Sequence, residues 1–158
     1  MEAVVSNRQR GFAVEDTAAA LIEFESGALG TFFISDNAVS PWTTEQGVGE
    51  SPEFPFSGQS NYRFMGRRGS IEFPELVQWT QAGDVQHWNK PIQAQRIHAP
   101  TIDAFAAQLV HFRDVVRGTV PSLQPVEDGA RSLLATLAIA EAAAKGRRID
   151  LRERYAAL

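Results

Sequence analysis

The chain has 158 residues, 44% of them apolar and 22% charged, with a mean hydropathy of −0.20. That composition excludes a disordered tail or a fibrous repeat and fits one ordinary globular domain, long enough to bury a core but short for an enzyme that needs a second, cofactor-binding lobe. Its 15 basic and 19 acidic residues leave a net charge of −4, which speaks against a broad phosphate-backbone interface, so nucleic acid is not expected as a partner. With no cysteine there is no disulfide framework, zinc ribbon, iron–sulfur site or thiol nucleophile. Met1 to Arg8 shows no basic stretch before an apolar run, and no segment approaches the roughly 18 apolar residues of a membrane span. The sequence therefore reads as soluble and cytoplasmic, with no membrane partner.

In chain order, Thr17 to Phe24 and Gly30 to Asp36 are rich in β-branched, aromatic and small residues, and Glu25-Ser26-Gly27-Ala28 between them supplies a turn. This predicts a hairpin. Asn37 to Ser60 follows, with Pro41, Pro52, Pro55 and three glycines, too long for a mere connector and unable to continue a sheet ladder. A meander of four strands is predicted next: Asn61 to Met65, Ser70 to Phe73 after the tight turn Gly66-Arg67-Arg68-Gly69, Leu76 to Thr80 after a break at Pro74, and Val85 to Trp88 after Gly83-Asp84.

The last third is helical. Ile102, Phe105, Leu109, Phe112 and Val116 form one apolar stripe, with Thr101 as N-cap and Gly118 as stop. A second helix is expected from near Glu127, after Pro125, to Lys145-Gly146, acids first and bases last, with many alanines that permit close approach of another element. Ile149-Asp150-Leu151 adds a short last strand in this reading. Strands followed by helices, without alternation, predict the α+β class.

Alternation in the first hairpin places Ala18, Ala20, Ile22 and Phe24 on one face and Thr17, Ala19 and Leu21 on the other. The next strand divides Phe32 and Ile34 from Thr31, Phe33 and Ser35. Neither face reads as solvated, while helices cover only one. The expectation is a homo-oligomer, joined sheet to sheet, because burying each large apolar side chain contributes about 1.5–3 kcal/mol. The alternative is that the Asn37 to Ser60 loop folds back over the free face.

No self-contained active site emerges. Gly27-Ala28-Leu29-Gly30 lies in a hairpin and Gly47-Val48-Gly49 precedes Pro52, so neither has the strand-to-helix context of a dinucleotide fingerprint. Gly66-Arg67-Arg68-Gly69 reads as a turn rather than a phosphate nest. His87, His98 and His111 lack ligand spacing, Asp114 three residues after His111 reads as a surface pair, and no serine sits in a nucleophile elbow. Glu15-Asp16 reads as structural or capping, since adjacent residues in an extended segment point apart. The long loop is left: Ser40 to Glu45 and Glu50 to Pro55 combine prolines, aromatics and carboxylates, the ingredients of a wall for a polar ligand. An ordered flap with Trp42 and Phe54 as anchors is the other reading.

The run Val14 to Phe24, Gly27-Ala28-Leu29-Gly30 and Ser35-Asp36, then Pro41-Trp42, Gly49-Glu50-Ser51-Pro52, Tyr62 to Ile71, Phe105 to Gly118 and Asp128 to Gly146 resembles the C-terminal domain of Gfo/Idh/MocA oxidoreductases. The resemblance covers nearly the whole chain. It implies an open, mostly antiparallel sheet backed by helices on one face, with the other face in dimer or tetramer contacts. It also implies that residues 1 to 158 are one such domain of a two-domain NAD- or NADP-dependent enzyme, without the N-terminal Rossmann domain. The glycine fingerprint, the Glu-Lys-Pro with its catalytic lysine, and the Asp and His of the preceding helix have no counterparts here. No catalytic residue, cofactor site or metal site is therefore assigned to this chain, and it is expected to be inactive alone. The substrate-side role implied for the loop falls on Trp42, Glu45 and Glu50, with Tyr62 and Arg63 as further candidates, for a sugar- or polyol-like small molecule. The rival expectation is a free-standing ligand-binding or scaffold protein without redox activity.

Overall fold

A computed structural model describes every residue except Asp84, Val85 and Thr101. In chain order its elements are β1 (Glu2–Ser6), β2 (Thr17–Glu23), β3 (Leu29–Ser35), α1 (Thr44–Val48), β4 (Tyr62–Gly66), β5 (Gly69–Phe73), β6 (Val77–Gln81), β7 (Ile92–Arg96), α2 (Ala104–Val116), α3 (Val126–Lys145) and α4 (Arg152–Ala156). The α+β class holds, and every strand pairing is antiparallel. The strands form two sheets, β1-β2-β3 and β4-β5-β6-β7. They fall in two compact units, Met1–Ala38 with Pro121–Leu158, and Val39–Val120.

In the first unit the predicted hairpin is present, with Ala18 opposite Ile34 and Ala20 opposite Phe32. Its turn places Gly27 at φ 83, where a side chain would be strained. Sequence reasoning missed β1, which pairs with β2 through Val4 and Ala19. The connection back to β2 is closed by Asp16, only 5% exposed. One Asp16 carboxylate oxygen accepts the backbone N–H groups of Gln9 and Arg10, each at 3.1 Å, and the other accepts the Thr17 hydroxyl at 3.0 Å. The capping role expected of Glu15-Asp16 thus belongs to Asp16.

The helix α3 runs as predicted and ends at Gly146 in the left-handed region, φ 57. Ala138 and Ala142 on it are 0% and 1% exposed and pack with Ile149 against Met1, Ala3 and Leu151. Small side chains on both elements let the helix lie close on β1, and that contact is the core of this unit. The strand expected at Ile149-Asp150-Leu151 is not formed. Instead Ile149 and Met1 exchange backbone hydrogen bonds, both 2.9 Å, and the chain turns at once into α4, leaving no room for a ladder.

In the second unit β4 and β5 form a hairpin through Gly66 and Gly69. Gly69 is required by packing, since a Cβ there would stand 2.7 Å from the Trp79 carbonyl oxygen. The Phe73–Pro74 peptide is cis and Leu76 has φ 53 in the turn to β6. The fourth strand is not where the sequence predicted it: β7 is Ile92–Arg96, while Gln86 to Trp88 is loop and the rest of that expectation, Asp84 and Val85, lies outside the described residues. The physical reason is Gln81, whose side chain donates to the carbonyls of His87 (2.8 Å) and Lys90 (3.1 Å) and accepts from the His87 N–H (3.0 Å). That side chain satisfies the backbone groups a strand would have used, and pairing starts only after Pro91.

The helix α2 is capped by Asp103, whose carboxylate accepts the Ala106 N–H at 2.9 Å; the expected cap, Thr101, lies outside the described residues. Gly118 follows at φ 70. The apolar stripe of α2 lines one side of the helix and is exposed at Phe105, Leu109, Phe112 and Val116.

Candidate functional site

The segment from Ser40 to Asn61 is built around α1, a helix the sequence reading left inside a long loop. Thr43 caps it by accepting the Gln46 N–H at 3.2 Å, and Gly49 closes it in the left-handed region at φ 71. Gly47 is buried against its surroundings: a Cβ there would meet the Gln59 carbonyl oxygen at 2.7 Å and Pro74 Cγ at 2.9 Å. The returning chain is tied to α1. The Ser57 N–H donates to the Gln46 carbonyl and the Ser57 hydroxyl to the Pro41 carbonyl, both at 2.8 Å. The Asn61 amide donates to the Thr44 hydroxyl oxygen at 2.9 Å.

On this frame Trp42 projects outward, 61% exposed, with its backbone N–H on the Ser40 hydroxyl oxygen at 3.1 Å. Glu45 lies in the first turn of α1 and Glu50 just past its end, both exposed. The segment that carries these three is therefore ordered by its own hydrogen bonds.

Tyr62 and Arg63 are neighbours on β4 and so point to opposite faces of the sheet. The Tyr62 ring lies 6.3 Å from Phe64, nearly parallel at 11°, and 6.0 Å from Phe73. Arg63 stands 3.9 Å from Glu72 on the other face, and that carboxylate also accepts the Trp79 indole N–H at 3.1 Å. Among the described residues no hydrogen bond or ion pair joins Trp42, Glu45, Glu50, Tyr62 and Arg63 to one another.

Asn61 is a residue that sequence reasoning passed over. Its side-chain oxygen is buried without a hydrogen-bond partner, beside Ser60, whose hydroxyl oxygen accepts the Glu75 N–H at 3.4 Å. No local pattern marks it, because its burial is created by the approach of α1.

Outside this segment, Asp16 and Asp114 are occupied structurally. Asp114 is gripped by the Arg113 guanidinium at 2.8 and 3.1 Å, which holds its carboxyl below the usual range, so Arg113 rather than His111 is its main partner. Among the described residues no group of three or more His, Asp or Glu side chains is placed to hold a metal ion. Among the described residues no helix is long and apolar enough to cross a membrane.

A nicotinamide dinucleotide does not fit at Gly27, Gly47 or Gly49. That group needs a glycine turn between a parallel strand and a helix, whereas Gly27 closes an antiparallel hairpin and its N–H donates to the Phe24 carbonyl at 2.9 Å. Gly47 faces the Gln59 carbonyl and Gly49 the Phe56 ring, so the openness at both is already filled by protein.

Residues 1–151 match the family model of the oxidoreductase-family C-terminal alpha/beta domain, Gfo/Idh/MocA type. No curated protein matches the chain, and no solved structure does.

Proposed function

The chain belongs to the C-terminal domain of the Gfo/Idh/MocA oxidoreductase family, and from that premise we propose that it serves as the substrate-pocket and oligomerisation domain of a cytoplasmic NAD- or NADP-dependent dehydrogenase. The family match over 151 residues carries this reading. Hydride transfer would belong to a nucleotide-binding partner domain, and this chain would orient a sugar- or polyol-like substrate through Trp42, Glu45 and Glu50, with Tyr62 and Arg63 contributing. An exposed indole offers a flat apolar face to a ring, and carboxylates accept from hydroxyls; both act by positioning the substrate rather than by chemistry of their own. The self-supporting hydrogen bonds of the Ser40 to Asn61 segment favour that role, since a wall must hold its shape to orient anything.

The three-stranded sheet supports the oligomer. Val4, Ala19 and Phe33 stand in register across β1, β2 and β3, flanked by Leu21 and Leu29 on the same face. Val4 is 74% and Phe33 69% exposed. A row of this kind is what a second copy would cover.

The substrate reading is tested by following the Trp42 indole resonance while a hexose or a cyclic polyol is added. A saturable shift that Glu45→Gln and Glu50→Gln weaken is expected, and an unmoved indole at saturating sugar would overturn the reading. Calorimetry with NADH and NADPH should register no tight binding to this chain.

A further inference from the structure

A cavity of about 530 Å³ opens in the first unit, between the end of β2 with its turn, Ala135 of α3, and the chain from Arg148 to Tyr155. That volume is within the range of small-molecule sites, which run from about 300 to 1,000 Å³. Ile22, Phe24, Leu151 and Tyr155 give it apolar walls, while Glu23, Glu25, Arg148, Asp150 and Arg152 place both signs of charge around them.

The charges are not equally engaged. Arg152 forks onto Asp150, with its Nε at 3.1 and 3.0 Å from the two carboxylate oxygens, so both groups are committed to each other. Arg148 uses one Nη2 contact to Glu23, 2.5 Å long. Its other N–H donors have no protein acceptor among the described residues, and Glu25 accepts no hydrogen bond there either. One guanidinium and one carboxylate are thus left with capacity toward the same apolar cavity.

The charge of the lining selects the ligand. Three carboxylates face two guanidinium groups and the Met1 terminal ammonium, so the lining has no net sign to favour a simple anion, and a simple cation would leave the open donors of Arg148 unused. A molecule that carries both charges close together, with an apolar remainder, matches all of these features. We propose that this cavity binds a small zwitterionic amphiphile, an apolar α-amino acid, with its carboxylate on Arg148, its ammonium on Glu25 and its side chain against Ile22, Phe24 and Leu151. This site is independent of the substrate reading above, which concerns residues between Val39 and Val120.

The test is a titration of the isotope-labelled full chain with L-phenylalanine, followed by amide resonances. Saturable shifts are expected at Ile22 to Gly27 and Arg148 to Tyr155, with phenylpropionate and phenethylamine, each lacking one charge, binding about tenfold more weakly. Arg148→Ala and Glu25→Gln should each weaken phenylalanine by about tenfold with an unchanged circular dichroism spectrum. Both side chains are at the surface, so at least the conservative Glu25→Gln variant reports on binding rather than folding. Absence of saturable shifts in those two segments, equal binding of the acid or the amine, or undiminished binding by both variants would each overturn the proposal.

Discussion

Glu141 on α3 is the most heavily engaged carboxylate of the first unit. It accepts from Arg154 at 2.8 and 3.1 Å and from Lys145 at 2.7 Å, and these bonds, Arg154 first, bring its pKa from 4.5 down to about 2. Because the folded value lies below the unfolded one, the contribution is complete above about pH 4.5 and is lost as the pH falls toward 2. Thermal melts should therefore show the wild type losing stability across that window, and Glu141→Gln should flatten the loss. A parallel slope in the variant would show that α4 is not held by this carboxylate. At Gly47, alanine would drive its Cβ into the Gln59 carbonyl and Pro74; Gly47→Ala should cost about 1–3 kcal/mol by denaturant titration. Neither effect could be read from the sequence. Glu141 differs from other helical glutamates only through an arginine 13 residues away, and Gly47 looks like any loop glycine until α1 and the turn at Pro74 meet.

Elements were legible in proportion to how local their determinants are. The helix α3 carries its own boundaries: Pro125 before it, acids in its first turn, Lys145 and then Gly146 at its end. The β2–β3 hairpin likewise has its turn residues and alternation in one stretch. By contrast β1 has only five residues, with no turn signal linking it to β2, and it exists because Asp16 gathers the intervening backbone. The displaced β7 depends on one glutamine side chain, and α1 and α4, five residues each, are shorter than any periodicity can reveal. The alanines of α3 announced a close approach, and the partner proved to be β1. Ala142→Leu should therefore destabilise by about 1–3 kcal/mol through overpacking, measured by thermal unfolding, whereas the same change at an exposed α3 position such as Ala144 should be nearly silent.

At the scale of the whole molecule, the apolar face of β1-β2-β3 sets the strongest expectation. Sedimentation of the wild-type chain should give a mass above its 17.4 kDa, and Phe33→Glu should return it to a monomer by placing a charge at one end of the Val4-Ala19-Phe33 row. A wild-type monomer at high micromolar concentration would defeat the sheet-to-sheet oligomer. By itself the sequence determined the class, the order of strands before helices, the family and the two-sided apolar character of the first hairpin. All of these follow from local composition, spacing and alternation. Only the tertiary structure decided that the strands divide into two sheets, that Trp42, Glu45 and Glu50 ride on a capped and cross-linked segment while Tyr62 and Arg63 face opposite ways, and that charged residues from Glu23 to Arg152 converge on one cavity. Those outcomes depend on hydrogen bonds and contacts between residues far apart in the chain, and no local pattern encodes such pairings.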